Sequence, residues 1–149
     1  MTTLKKINEF LNSQQIALIG VSRNPKKFGY AAFKELKEKG MKIIPVNPEA
    51  AEIMGEKSYP NVKVLPSDVQ GIIVLTKKDQ TASVVRDAKE KGIKQIWIQQ
   101  MADSKEALDE LKDSDINYIT GECILMHFKP HGFHKFHRSL KKFFGGFPK

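Results

Sequence analysis

The chain lacks most of the devices that would place it outside the ordinary soluble domains. It has a single cysteine, Cys123, in 149 residues, so no internal disulfide framework exists and the residue fits a reducing, cytoplasmic setting. No apolar run approaches the ~18 residues of a membrane span. The opening "MTTLKKINEFLNSQQ" alternates charged and apolar positions, and without a continuous apolar stretch no signal peptide is expected. There is no internal repeat and no low-complexity linker. Acidic residues are also scarce, 17 against 25 Lys and Arg, for a formal charge of +8, which favours an anionic partner. Hydrophobic residues at 40% and charged residues at 28% describe a globular chain long enough for one core.

What is present is an alternation of two periods. Leu4, Ile7, Phe10 and Leu11 recur at helical spacing. Apolar strand-like runs follow at 16–20, 42–48, 71–76, 94–99 and 116–120. Between them lie helical segments at 30–40, at 80–92 with Asp79 as its expected cap and Val84, Val85 and Ala88 turned inward, and at 104–114 with Ser104 as cap. Strands alternating with helices imply right-handed βαβ units, hence a five-stranded parallel sheet covered on both faces. The stretch 49–70, broken by Gly55, Pro60 and Pro66, is expected to hold a short helix and turns. Residues 1–128 read as one α/β domain. Residues 129–149 read as a basic, aromatic C-terminal helix docked on it, with Phe133, Phe136, Leu140, Phe143 and Phe144 along one face.

In such sheets ligands sit beyond the carboxyl ends of the strands, where strand order reverses. The first such end reads "GVSRNPKKFG" from Gly20 to Gly29. A dinucleotide fingerprint needs Gly-x-Gly-x-x-Gly, but Ser22 and Pro25 stand in the second and third glycine positions. The turn still suits a phosphate. Gly20 permits a tight bend, and Ser22 offers a hydroxyl and an N–H. A helix beginning near Gly29 presents its positive end, with Arg23, Lys26 and Lys27 at longer reach. The second strand ends in "IIPVNP". No carboxylate stands at that tip to clamp a ribose, which counts against NAD. Val46, Asn47 and Pro48 form instead a rigid, mostly apolar wall.

"IALIGVS", "KIIPVNP", "GEKSYP" at 55–60, "IWIQQ" at 96–100 and a cysteine after the fifth strand occur in an order that resembles the small single-domain CoA-binding proteins. These are similar to the N-terminal CoA-binding domain of the succinyl-CoA synthetase alpha subunit. The resemblance covers about residues 5 to 128 and implies a Rossmann-like three-layer sandwich that binds coenzyme A. It implies that Gly20, Val21 and Ser22 meet the phosphates, with Arg23, Lys26 or Lys27 supplying charge. Val46, Asn47 and Pro48 would line the adenine and ribose, Thr76 and Lys77 the middle of the cofactor, and Gln99 the pantetheine arm. The chain departs from that pattern at Met101, where a glycine is usual. Nothing in it matches the phosphohistidine-bearing domain of the synthetases, so the resemblance implies binding of CoA or an acyl-CoA without the ligase reaction.

Two alternatives stay open: an NAD(P)-binding oxidoreductase-like enzyme, and an interaction protein that uses its basic tail on another chain, a membrane surface or a nucleic acid. The last lacks wider support, since only one stretch combines Phe with Lys and Arg. A homo-oligomer or protein partner is compatible with all readings. Cys123 invites a nucleophilic reading with His127 one helical turn away, but free cysteine is more often a small buried hydrophobe. His127, His131, His134 and His137 invite a metal reading. Gly132 and Pro130 break the helix that would align them, and no metal is expected.

Overall fold

Ile16 to Ile19 form an interior strand of the sheet, β1 (Ile16–Ile19), and all four residues are buried. A strand covered on both faces must be apolar throughout, which is why this segment carries no polar alternation. The computed structural model describes residues 1–129. The tail with its phenylalanine stripe and His131, His134 and His137 lies outside the described residues.

Around β1 the chain builds α1 (Leu4–Leu11), α2 (Phe28–Glu38), β2 (Ile43–Val46), β3 (Glu52–Ile53), β4 (Glu56–Lys57), β5 (Gly71–Val74), α3 (Lys78–Lys91), β6 (Gln95–Gln99), α4 (Lys105–Leu111) and β7 (Asn117–Glu122). The five long strands are parallel in the order β2-β1-β5-β6-β7. One apolar layer packs Ile7, Phe10, Phe33 and Leu36 of α1 and α2 on Leu18, Ile73, Trp97 and Ile119. The other packs Ala82, Val85, Ala88 and Leu111 of α3 and α4 on Ala17, Ile72, Val74 and Ile98. Alternate residues of each strand feed opposite layers, giving the Rossmann-like α/β sandwich.

Several local expectations are corrected. α3 begins at Lys78 with Lys77 as its cap residue, and no side chain caps it. Asp79 lies inside the first turn, where its negative charge is stabilised by the positive end of the helix dipole. Val84 is only half-buried, against the second layer. α2 starts at Phe28, two residues before Tyr30. Segment 49–70 holds no α-helix: it folds into the hairpin β3–β4 and a single 3-10 turn, Val62–Val64. Met54 and Gly55, at φ 50 and 77, make the two-residue turn whose left-handed backbone matches hairpin twist. β7 runs two residues past Thr120, because a bulge at Gly121 (φ 74) lets the strand resume pairing at Gln99 and Glu122. Ser104 caps α4 as expected, its hydroxyl accepting from the N–H of Ala107.

Candidate functional site

The strand order reverses between β1 and β5: the chain moves outward from β1 to β2, then crosses back to β5 on the other side of β1. The carboxyl ends of these strands open a crevice there, the place where doubly wound sheets receive ligands.

Its floor is the turn from β1 into α2. Gly20 adopts φ 93, and a Cβ on it would stand 3.2–3.3 Å from the backbone of Leu75 and Thr76. Gly29 lets α2 come against that turn, since a Cβ there would lie 2.4 Å from the Gly20 carbonyl oxygen and 3.4 Å from the Ser22 nitrogen. Gly29 thus performs the close helix-to-strand approach that the fingerprint assigns to its third glycine, nine residues after the first. Between the two glycines the loop organises itself. The Ser22 hydroxyl accepts from the Asn24 N–H at 3.0 Å, and the Asn24 side-chain oxygen accepts from the Lys26 N–H at 3.0 Å. α2 has no acidic residue in its first turn, and Arg23, Lys26 and Lys27 are exposed beside it. Its first N–H groups have no intrahelical acceptors, so a positive field is directed at the crevice.

Asn47 is committed to the scaffold. Its amide donates to the Val21 carbonyl at 2.7 Å, and its oxygen accepts from Glu49 and Ala50 at 2.8 and 3.1 Å. It therefore braces the tip of β2 against the first turn. Tyr59 extends this edge: its N–H donates to Pro45 and its carbonyl accepts from Asn47. This pairing carries Pro60 to the crevice.

Two clefts meet at Thr76. One, about 410 Å³, has Gly20, Val46, Pro48, Pro60, Val62 and Asp79 among its walls. The other, about 430 Å³, runs from Thr76 past Leu75 and Gln99 to Phe28, Met101 and Cys123. Thr76 Oγ1 lies 3.1 Å from the hydroxyl of Thr81, which is fully buried and donates to the Ala102 carbonyl at 2.7 Å. Gln99 is 5% exposed and its oxygen accepts from the Ile124 N–H at 3.1 Å.

Of the sequence candidates, Gly20, Val46, Pro48 and Thr76 share one cleft, and Thr76 and Gln99 the other. Ser22, Arg23, Lys26, Lys27 and Gly29 lie on the turn from β1 into α2 and line neither cleft. Val21 is a buried core residue and contributes only backbone. Lys77 is exposed and lines neither cleft. Sequence reasoning missed Pro60 and Val62, which enter only through the pairing of Tyr59, and Asp79, which faces the first cleft. It also missed Phe28 and Met101 on the lip of the second. Met101 has φ 73, so the expected glycine position does lie in left-handed backbone, here carried by a methionine.

Cys123 is 8% exposed and lines the second cleft. His127 meets Glu122. The imidazole stands 3.0 Å from the Glu122 carboxylate, both buried beneath Trp97, whose ring centroid is 5.5 Å from that of His127. Among the described residues no group of three His, Cys, Asp or Glu could hold a metal, and no helix is long and apolar enough to cross a membrane.

The fold and crevice define a doubly wound α/β domain of the nucleotide-receiving class. Residues 14–129 match the family described as a CoA binding domain, and the chain belongs to that family. It is 40% identical, over 62% of its length, to the acetate–CoA ligase [ADP-forming] II subunit alpha of Pyrococcus furiosus, of which the match covers 20%. The chain therefore spans about a fifth of that relative. It is 29% identical to protein YneT of Bacillus subtilis over 80% of this chain and 89% of the other. A solved conserved hypothetical protein of Pyrococcus furiosus superposes with a TM-score of 0.72 at 38% identity, covering 75% of this chain and 97% of that one.

Proposed function

We propose that the chain binds coenzyme A across the carboxyl ends of its strands, as a carrier or regulatory module without turnover of its own. The observation that carries this reading is the pair of clefts joined at Thr76 beside a cationic glycine cradle. CoA has the matching three parts: an adenine nucleotide, a diphosphate and a pantetheine arm. The Gly20–Gly29 cradle with Ser22, Arg23, Lys26 and Lys27 holds the diphosphate. Any side chain at Gly29 would fill the space between the two backbones. Val46, Pro48, Pro60 and Val62 offer a flat apolar seat for adenine, with the Asp79 carboxylate as an acceptor for its amine or a ribose hydroxyl. Thr76 and Gln99 line the path of the arm toward Cys123.

The test is thermal denaturation with CoA, dephospho-CoA, NAD and NADP in separate arms. A ligand that binds the native state alone raises Tm. CoA is expected to do so, dephospho-CoA less, and NAD little. A rise with NAD or NADP and none with CoA refutes the assignment.

A further inference from the structure

We propose that the outer edge of β7 is a pairing surface for a second copy of this chain, and that the hydroxyl of Thr2 holds that edge closed. A strand at the end of a sheet presents a row of backbone groups that the ladder does not use. The five-stranded sheet has two such edges, β2 and β7. They are treated differently. β2 carries Pro45, which has no N–H, and Tyr59 lies along it, donating to the Pro45 carbonyl and accepting from the Asn47 N–H. β7 reads "NYITGE" and holds neither proline nor lysine. Its one charged residue, Glu122, is turned to His127 and is 6% exposed. The strand itself therefore lacks the residues that ordinarily keep an edge from pairing.

In a parallel ladder alternate residues direct both backbone groups to the same side. Asn117 donates its N–H inward, to the Lys94 carbonyl just before β6. Tyr118 and Thr120 therefore direct theirs outward. At Thr120 one side chain takes both groups. The Thr120 N–H donates to Thr2 Oγ1 at 3.1 Å, and the Thr2 hydroxyl donates to the Thr120 carbonyl at 3.0 Å. The hydroxyl gives and accepts as the backbone of a partner strand would. Beside it, Lys6 of α1 lays its ammonium 4.5 Å from the centroid of the Tyr118 ring. α1 packs in the first layer and Tyr118 against the second, so the Lys6 stem crosses the edge between them. A partner strand and these two N-terminal side chains need the same place, and the two states exclude one another.

The chemistry of the edge selects the occupant. Strand edges recognise each other through the spacing of N–H and C=O groups, and a second copy presents β7 with that same spacing. Because Pro45 and Tyr59 close β2, the edge that a second copy offers is its own β7. Such a contact is isologous and closes as a two-fold dimer instead of growing into a fibre. The paired strands run antiparallel, so the two strand-end crevices open at opposite ends of one continuous sheet and both stay accessible.

Sedimentation equilibrium of the full chain, from about 10 to about 500 µM, tests the inference, since self-association depends on protomer concentration. Thr2→Val keeps the shape of the side chain and removes the hydroxyl, whereas Thr2→Ser keeps the hydroxyl. Two closing hydrogen bonds, each worth roughly fivefold, give Thr2→Val a dimer dissociation constant roughly 25-fold below that of the parent. Thr2→Ser is expected to match the parent. Hydrogen exchange locates the contact: in Thr2→Val the amides of Tyr118 and Thr120 should slow as the dimer forms. Equal mass for the parent and Thr2→Val at every concentration overturns the inference. So does a Thr2→Ser protein that pairs as tightly as Thr2→Val, a dimer that leaves those two amides unprotected, or a mass that grows past the dimer. The cofactor reading is tested separately, by the melting response to CoA.

Discussion

Replacing Gly29 with alanine tests whether the cradle depends on the approach of α2 to the first turn. The added Cβ would stand 2.4 Å from the Gly20 carbonyl oxygen, against ordinary contact from 3.4 Å. Both partners are backbone, so about 1 Å of movement must come from α2 sliding outward or from the turn deforming. Overpacking of this kind costs ~1–3 kcal/mol. Alanine returns ~0.5–1 kcal/mol over glycine within a helix. The net expectation is a loss of about 1–2 kcal/mol, or roughly 3–6 °C in Tm for a chain of this size. A 1 Å retreat of the helix start also opens the cradle, so the Tm rise given by CoA should shrink or vanish. Gly92→Ala is the control. Nothing lies within 4 Å of the Gly92 Cβ position, and only its φ of 81 opposes the change. It should cost about 1 kcal/mol and leave the CoA response intact. A Gly29→Ala protein as stable as the parent and equally responsive to CoA would refute the close-approach account.

Asn47→Ala removes three hydrogen bonds that tie the tip of β2 to Val21, Glu49 and Ala50. A loss of about 1–3 kcal/mol is expected in urea denaturation, with weaker ligand binding from the loosened wall. Met101→Gly relieves left-handed backbone and should raise stability by up to about 1 kcal/mol in the same assay. The Glu110 carboxyl is held below the usual carboxylate range, first by the Lys89 hydrogen bond and then by that of Arg86. Its contribution is therefore fully present at neutral pH and is lost as pH falls through that depressed value. Glu110→Gln should flatten the acid limb of a stability-against-pH curve slightly, and less so in high salt, because the ion pairs lie at the solvent-accessible surface.

The order of elements was legible because strands buried on both faces leave unbroken apolar runs, as at Ile16–Ile19 and Gly71–Val74. Gly20 was legible as a turn residue, and the wall formed by Val46 and Pro48 followed from its strand-end position. The hairpin in 49–70 was not, because two strands of two residues have no period to read. The Met54–Gly55 turn also lacks the asparagine that usually marks it. Asn47 was read as a site residue, and its three internal bonds, which brace the tip of β2, came only from the fold. Cys123 and His127 stand at helical spacing, although the cysteine read first as a small buried hydrophobe. The turn after β7 instead sends the imidazole to Glu122.

The sequence by itself determined the alternation of strands and helices, the glycine and proline punctuation of the strand ends, and the positive charge of the first loop. These depend on neighbours along the chain, where backbone sterics and burial periodicity act. The tertiary structure alone decided which strand ends stand side by side. It set the nine-residue separation that lets Gly29 do the work of a fingerprint glycine, and it joined the two clefts at Thr76. Those are contacts between residues far apart in the chain, and only the packed sheet fixes their distances.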